Sequence, residues 1–146
     1  MSNRVWLHMT RGELNSHFQL REFANSEGVA QVHIRLLEGL ERLRAKLYTA
    51  YGEEVWIIIT GGTRTQADNE RLAARLGWTD EGGLVSRDSK HLTKYGGIAA
   101  DIKAFKATPN AQGVRERIPQ GVLARHARDV FAFVKGDYAD GHVHVD

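Results

Sequence analysis

The stretch SKHLTKYGGIAADIKAF, residues 89–105, joins a glycine-flanked loop to a segment that has the pattern of a β-strand. Side chains in residues 98–105 alternate in character along the chain, which is the period of an extended strand. Asp101 lies within this segment between Ala100 and Ile102. A carboxylate buried beside apolar residues costs several kcal/mol unless it is paired or bound to a metal. The stretch therefore predicts a strand whose central carboxylate has a partner.

A second row of polar side chains lies at the C-terminus, where the chain ends on DGHVHVD, residues 140–146. If this segment is extended, its two valines point into the core, and His142, His144 and Asp146 share the opposite face. Such a row is either a solvated edge or part of a metal site. Ligands elsewhere in the chain decide between the two.

Length and composition indicate one globular domain. The chain has 146 residues, of which 42% are hydrophobic and 26% are charged, enough to bury a core and unlike a disordered protein. The net charge is only +2 with histidine neutral, and no long run of Lys or Arg occurs, so we expect no nucleic-acid partner. There is no cysteine, so a metal would have to be held by histidines and carboxylates.

The N-terminal sequence MSNRVWLHMTRGEL lacks the apolar core of a signal peptide, and no apolar run approaches the length of a membrane span. We therefore expect a protein that is synthesised in the cytoplasm and has no membrane span. Action outside the cell would require release by another protein, as for a phage or prophage lysis enzyme or a virion component. Alternatively, the sequence is a domain cut from a longer chain.

Hydrophobic periodicity predicts three helices that alternate with three strands. In the first half of the chain we expect a lead-in anchored by Phe18 and Phe23, a leucine helix over about 30–50 and a buried strand over 55–60. A second helix begins at a Thr65–Asp68 capping box and ends at Gly77, and a long loop over 79–97 follows it. The rest of the chain predicts a strand over 98–105, a helix over 121–135 and a final strand HVHVD. This order predicts a single α+β domain over residues 1–146, with a small antiparallel sheet and flanking helices.

A metal site is one interpretation of His91, Asp101 and the histidine pair of the final strand. A catalytic zinc site needs three protein ligands of the nitrogen or oxygen type and one open position for water. Two imidazoles and one carboxylate meet that requirement without cysteine. The alternative interpretation is that His91 is an ordinary loop residue, that Asp101 pairs with a Lys or Arg, and that the terminal histidines are solvated.

Taken together, these stretches resemble the zinc D-alanyl-D-alanine metallopeptidases, a peptidoglycan-cleaving family that shares its fold with the hedgehog signalling domain. The resemblance follows the family's order along nearly the whole chain, through SHFQLREF, LLEGLERLR, ITGGTR, SKHLTKYGGIAADI and HVHVD. Its most specific piece is the pattern S-x-H followed by G-x-A-x-D, which here falls on Ser89, His91, Gly97, Ala99 and Asp101.

The resemblance implies a role for each matching residue. His91, Asp101 and His144 would hold Zn²⁺ at the face of the sheet. Arg64 would bind a substrate carboxylate or carbonyl near the metal, because a guanidinium can pair with a carboxylate through two hydrogen bonds and stabilise a developing oxyanion. Ser89 would contact the substrate beside Arg64. The substrate would be the peptide part of peptidoglycan.

The chain departs from the family pattern in two places. The sequence LTKY lengthens the loop between the histidine and the glycine of the metal motif by three residues. The family's acidic general base lies three positions before the last ligand, where this chain has Gly141. We expect Asp140, the nearest acid, to take the role of catalytic base. His142 is the other candidate, as proton shuttle or oxyanion donor.

The expected function is a monomeric zinc peptidase acting on peptidoglycan stem peptides, as a D-Ala-D-Ala carboxypeptidase or an endopeptidase of the L-alanyl-D-glutamate type. The alternative is an inactive, zinc-stabilised binding or structural domain of the same fold, which the glycine at position 141 favours. Asp146 is expected either to accept the other ring N–H of a zinc-bound histidine or to be solvated.

The remaining histidines and the tryptophans are not expected to carry chemistry. The histidines expected on the surface or on a helix face are His8, His17, His33 and His126. The tryptophans expected in the core, although they would also fit the wall of a cleft, are Trp6, Trp56 and Trp78.

Overall fold

This computed structural model describes residues 4–6 and 15–146, with side chains from residue 16 onward. The fold that it shows consists of three α-helices, a four-stranded antiparallel sheet and a two-stranded ribbon. The helices are α1 (Ile34–Tyr51), α2 (Gln66–Leu76) and α3 (Gln120–Arg128). The ribbon pairs β1 (Arg4–Trp6) with β2 (Asn15–Gln19). The sheet has the order β3 (Val55–Gly61), β4 (Ala100–Lys106), β6 (Val143–Val145), β5 (Val134–Lys135). The predicted α+β class is confirmed. His8 and the side chain of Trp6 lie outside the described residues.

Helix α1 forms because its leucines recur at helical spacing and its ends are capped. The side chains of Leu36, Leu40, Leu43 and Leu47 are buried, as the periodicity predicts. The helix begins at Ile34 because His33 is extended and its ring accepts a hydrogen bond from the Arg35 amide. It ends where Gly52 takes a left-handed conformation with φ +69°.

The inner face of the sheet and the helices enclose the core. The buried apolar residues of the sheet alternate with residues of the opposite face and are Val55, Ile57, Ala100, Ile102, Ala104, Val143 and Val145. They belong to the same buried cluster as the leucines of α1 and as Leu123 and Ala127 of α3. Phe18 and Phe23, the predicted anchors of the lead-in, are also fully buried in this cluster.

The prediction of a fully buried strand over 55–60 was wrong, and so was the prediction of Trp56 in the core. Trp56 is 37% exposed and Ile58 is 41% exposed. In the described part of the chain, the two α-helices of the core cluster, α1 and α3, do not cover this side of β3, so every second residue of the apolar run meets solvent.

The predicted helix over 121–135 was wrong at its C-terminal end. Helix α3 ends at Arg128, and Val134 lies on strand β5, opposite Val145 of β6. Backbone hydrogen bonds between Phe133 and Asp146 extend this pairing by one residue. The apolar residues from 130 to 134 satisfy helical spacing, and pairing with the C-terminal strand overrides that local preference.

The predicted capping box at the start of α2 is confirmed. The Thr65 hydroxyl accepts a hydrogen bond from the Asp68 amide at 3.1 Å, and the Asp68 carboxylate accepts one from the Thr65 amide at 2.8 Å. The same carboxylate also accepts hydrogen bonds from Asn25 and Arg71. Partial burial acts to raise the pKa of Asp68, but these hydrogen bonds outweigh it and lower the pKa to about 2.

We expect Asp68→Asn to destabilise the protein at neutral pH. The pKa of the carboxyl falls from 3.8 to about 2 on folding, which corresponds to about 2 kcal/mol of stability. Because the folded-state pKa is depressed, this stability is present above pH 3.8 and is lost as the pH falls toward 2. Urea unfolding of both proteins across this range measures the effect. A difference between them that does not shrink in acid would contradict it.

Candidate metal centre

Two imidazole nitrogens, one from each of two histidines, lie close to a carboxylate oxygen. The three atoms are at one end of the outer face of the sheet, the face that points away from the core. Asp101 of β4 lies directly opposite His144 of β6 in the strand register, and His91 reaches them from the loop before β4. His91 Nε2 lies 3.1 Å from Asp101 Oδ1 and 3.1 Å from His144 Nδ1. His144 Nδ1 lies 3.2 Å from Asp101 Oδ1. The three residues predicted as metal ligands therefore form one compact group.

Backbone pairing fixes the loop that carries His91. The Arg64 amide donates to the His91 carbonyl at 2.9 Å, and the Thr93 amide donates to the Arg64 carbonyl at 3.0 Å. The His91 amide donates to the Ser89 hydroxyl. The predicted loop over 79–97 is thus ordered against the start of α2, and it contains short 3₁₀ turns at Thr79–Glu81 and Thr93–Tyr95.

Hydrogen bonds to the far nitrogens of the two rings set their orientation. His91 Nδ1 lies 2.8 Å from the Gly62 carbonyl, which accepts its hydrogen. His144 Nε2 lies 2.7 Å from Asp146 Oδ2, as expected if Asp146 supports a metal-bound histidine. With a metal bound, these acceptors would select the neutral tautomers in which the unprotonated His91 Nε2 and His144 Nδ1 face Asp101.

The spacing of the three donor atoms fits a small divalent cation. In a tetrahedral zinc site with bonds of about 2.0–2.1 Å, two ligand atoms lie about 3.3–3.4 Å apart. The observed separations are 3.1, 3.1 and 3.2 Å. Three converging lone pairs repel one another unless a proton or a cation lies between them. The group therefore has the donor chemistry and the size to hold a metal ion.

Burial and charge act against each other at this group. His91 is 5% exposed and His144 is 8% exposed, so the alternative interpretation of the terminal histidines as solvated is wrong for His144. Burial acts to raise the pKa of Asp101, but hydrogen bonds from His144 and His91 outweigh it and hold the pKa well below its ordinary value. Burial acts to lower the pKa of His144, but the carboxylates of Asp101 and Asp146 raise it. The Asp101 carboxyl is thus held in the ionised form that a metal ligand needs.

Arg64 lies beside the group in a network that includes an unpredicted residue. Its Nη1 donates to the Ser89 hydroxyl at 3.1 Å and to Asn69 Oδ1 at 3.2 Å. Burial lowers the pKa of Arg64, and the nearby carboxylates of Asp101 and Asp68 act in the opposite direction. Fully buried Asn69 in turn donates to the Ser86 carbonyl. Asn69 gave no sequence signal, because an asparagine inside a helix is ordinarily exposed.

The C-terminal tail brings His142 to the open side of the group. His142 Nε2 lies 3.6 Å from Asp101 Oδ1, and His142 Nδ1 lies 2.5 Å from Asp140 Oδ1. The Tyr138 ring stacks on the imidazole of His142, with centroids 4.0 Å apart and 19° between the planes. The two candidate catalytic residues of the tail therefore form a pair in which Asp140 contacts the ring nitrogen of His142 that is remote from Asp101. Tyr138 was missed by the sequence analysis.

The backbone explains why position 141 is not acidic. Gly141 has φ +84°, a left-handed conformation that is strained for a residue with a side chain. A Cβ at this position would also clash with the guanidinium of Arg117, which donates to the Gly141 carbonyl. A carboxylate at 141 would therefore be strained in this turn and would have to displace the guanidinium of Arg117.

Comparisons of the chain with protein-family models, with curated proteins and with solved structures found no match. The resemblance to the zinc metallopeptidases therefore depends on the motif residues and on the geometry described above. Among the helices of residues 15–146, none is long and apolar enough to cross a membrane.

We expect the protein to bind one equivalent of Zn²⁺ and His91→Ala to lose most of that affinity, because two ligands remain out of three. Calorimetric titration of the metal-stripped protein measures this. His126→Ala, which removes a histidine of α3, is the matched control and should bind as the parent does. Equal zinc affinity in the parent and in His91→Ala would show that the metal binds elsewhere.

Proposed function

We propose that the protein is a zinc-dependent peptidase that hydrolyses amide bonds in the peptide part of peptidoglycan. The observation that supports this most strongly is the convergence of His91, Asp101 and His144 within 3.2 Å of one another, with Arg64 and His142 beside them. The three residues that the sequence motif predicts as ligands are the same three that lie together in the fold. The motif contains no information about the distances between them, so their proximity is independent support.

The donor set favours zinc over the common hard cations. Calcium and magnesium prefer sites made of oxygen ligands, whereas two imidazole nitrogens and one carboxylate oxygen are typical of catalytic zinc. With three protein ligands, a bound Zn²⁺ would retain an open position, where it would lower the pKa of water and polarise a carbonyl. The remaining chemistry has to come from side chains of the chain itself.

In this proposal, His142 removes the proton from the attacking water. Its Nε2 is turned toward Asp101, and the Asp140 carboxylate holds the Nδ1 hydrogen, which leaves Nε2 free to accept a proton. Asp140, the residue favoured as base from the sequence, then has an orienting role. The arrangement resembles the carboxylate–histidine pairs that select one tautomer of a catalytic imidazole.

Arg64 and Ser89 are proposed to hold the substrate. Ser89 and Asn69 hold the Arg64 guanidinium through Nη1, and its other nitrogens would donate to an incoming oxygen. A fixed cation next to the metal suits either the terminal carboxylate of a peptide, as in a carboxypeptidase, or the oxyanion that develops at the scissile carbonyl. The cell wall is the place of action that this chemistry suits, after release of the protein or from a virion.

An inactive zinc-stabilised domain is the second candidate. Its support is the position of His142, whose Nε2 is 3.6 Å from Asp101 Oδ1. A small movement of the tail would make this ring a fourth ligand, and a metal with four protein ligands has no site for water. Such a closed site would stabilise the fold without catalysing hydrolysis.

We expect the zinc-loaded protein to release soluble fragments from purified cell walls. His142→Gln should lower the rate by about 10²–10⁴-fold with zinc still bound, because it removes the base and keeps the three ligands. Asp140→Asn should have a smaller effect in the same direction. Fragment release measured by chromatography tests both, with His126→Gln as the matched control.

Zinc content and activity together separate the two candidates. The peptidase proposal requires fragment release by the parent protein and retained zinc in His142→Gln. If the parent releases nothing, and if His142→Gln binds zinc much more weakly than the parent, then His142 is a fourth ligand and the site is structural.

A further inference from the structure

The outer face of the sheet continues beyond the metal centre as an ordered surface. Strand register defines successive rows of side chains that share this face, because every second residue of a strand points the same way. The first row is the metal row of Asp101 and His144, the second pairs Ile58 with Lys103, and the third holds Trp56, Phe105 and Arg117.

Apolar surface in the second and third rows is open to solvent. Trp56 is 37% exposed and Ile58 is 41% exposed, and both lie on strand β3. Rows on one face are separated by two residues, or about 6.8 Å along a strand, so the third row lies about 14 Å from the metal row. We call this area, from Lys103 to Trp56, the strand platform.

Cations surround the strand platform. Lys103 is part of its second row, and Lys103 is among the charges that act on Asp140 at the tail. The Arg115 guanidinium lies 4.6 Å from the centroid of the Trp56 ring, and Arg117 donates to the Gly141 carbonyl. Within the described residues, none of these three cations forms an ion pair with a carboxylate. The platform therefore presents three cationic side chains, none of them in an ion pair among the described residues, next to exposed apolar side chains.

We propose that the strand platform binds an extended acidic peptide, the part of the substrate that leads away from the scissile bond. Carboxylates of the peptide would face Lys103, Arg115 and Arg117, and its apolar atoms would contact Ile58 and Trp56. An extended chain rises about 3.3 Å per residue, so about four residues reach from the metal row to the third row. The substrate class in this inference rests on the proposed function.

Binding without turnover tests the proposal. The parent for this experiment is zinc-loaded His142→Gln, which keeps the three ligands, and the probe is purified cell walls assayed by cosedimentation. Lys103→Glu and Arg115→Glu are each expected to weaken binding about fivefold or more, because each replaces attraction with repulsion next to the peptide. Arg42→Glu on α1 carries the same change of charge as Arg115→Glu, away from the platform, and should bind as the parent does.

A second arm identifies the part of the wall that is bound. Walls whose peptides have been removed with an amidase retain their glycan strands, and the parent is expected to bind them much more weakly than intact walls. Undiminished binding to bare glycan, or platform variants that bind like the parent, would overturn the proposal. Loss of binding in Lys103→Glu, alongside an unsubstituted protein (with His142 intact) that shows no hydrolytic activity, would remove the peptidase function and leave the peptide platform in place.

Discussion

The antiparallel pairing of β4 with β6 is the constraint on which the site depends. Asp101 and His144 are direct partners in this pairing, so both side chains leave the sheet on the same face. The neighbouring residues Ile102, Val143 and Val145 are fully buried on the other face. A register shift of one residue in β6 would turn His144 into the core and a valine outward. The alternation that builds the core therefore also places two of the three donors.

Local sequence signals were sufficient to predict the helices and strands that have a strong hydrophobic periodicity or a defined capping residue. Helix α1 and strand β4 overlap most of their predicted ranges, and the Thr65–Asp68 capping box is at its predicted position. The signals failed where one pattern fits two structures. The position of Val134 fits the spacing of a helix as well as that of a strand. An apolar run such as residues 55–60 has the same sequence pattern whether one or both faces of its strand are covered.

The candidate site was predictable as a set of ligands but not as an arrangement. His91, Asp101 and His144 are recognisable from their motif, whereas the Asn69 contact to Arg64 and the Tyr138 stack on His142 join residues that no local pattern relates. The tail shows the same limit. From the sequence, Gly141 is a missing acid, and in the fold it is a left-handed turn that brings the ring of the next residue to the metal group.

Crystals grown with Zn²⁺ and measured on both sides of the zinc absorption edge test the central claim most directly. The account predicts one strong anomalous peak bonded to His91 Nε2, Asp101 Oδ1 and His144 Nδ1, with a solvent molecule in the fourth position. The absence of a peak among these three side chains, or a peak ligated by other residues, would contradict it.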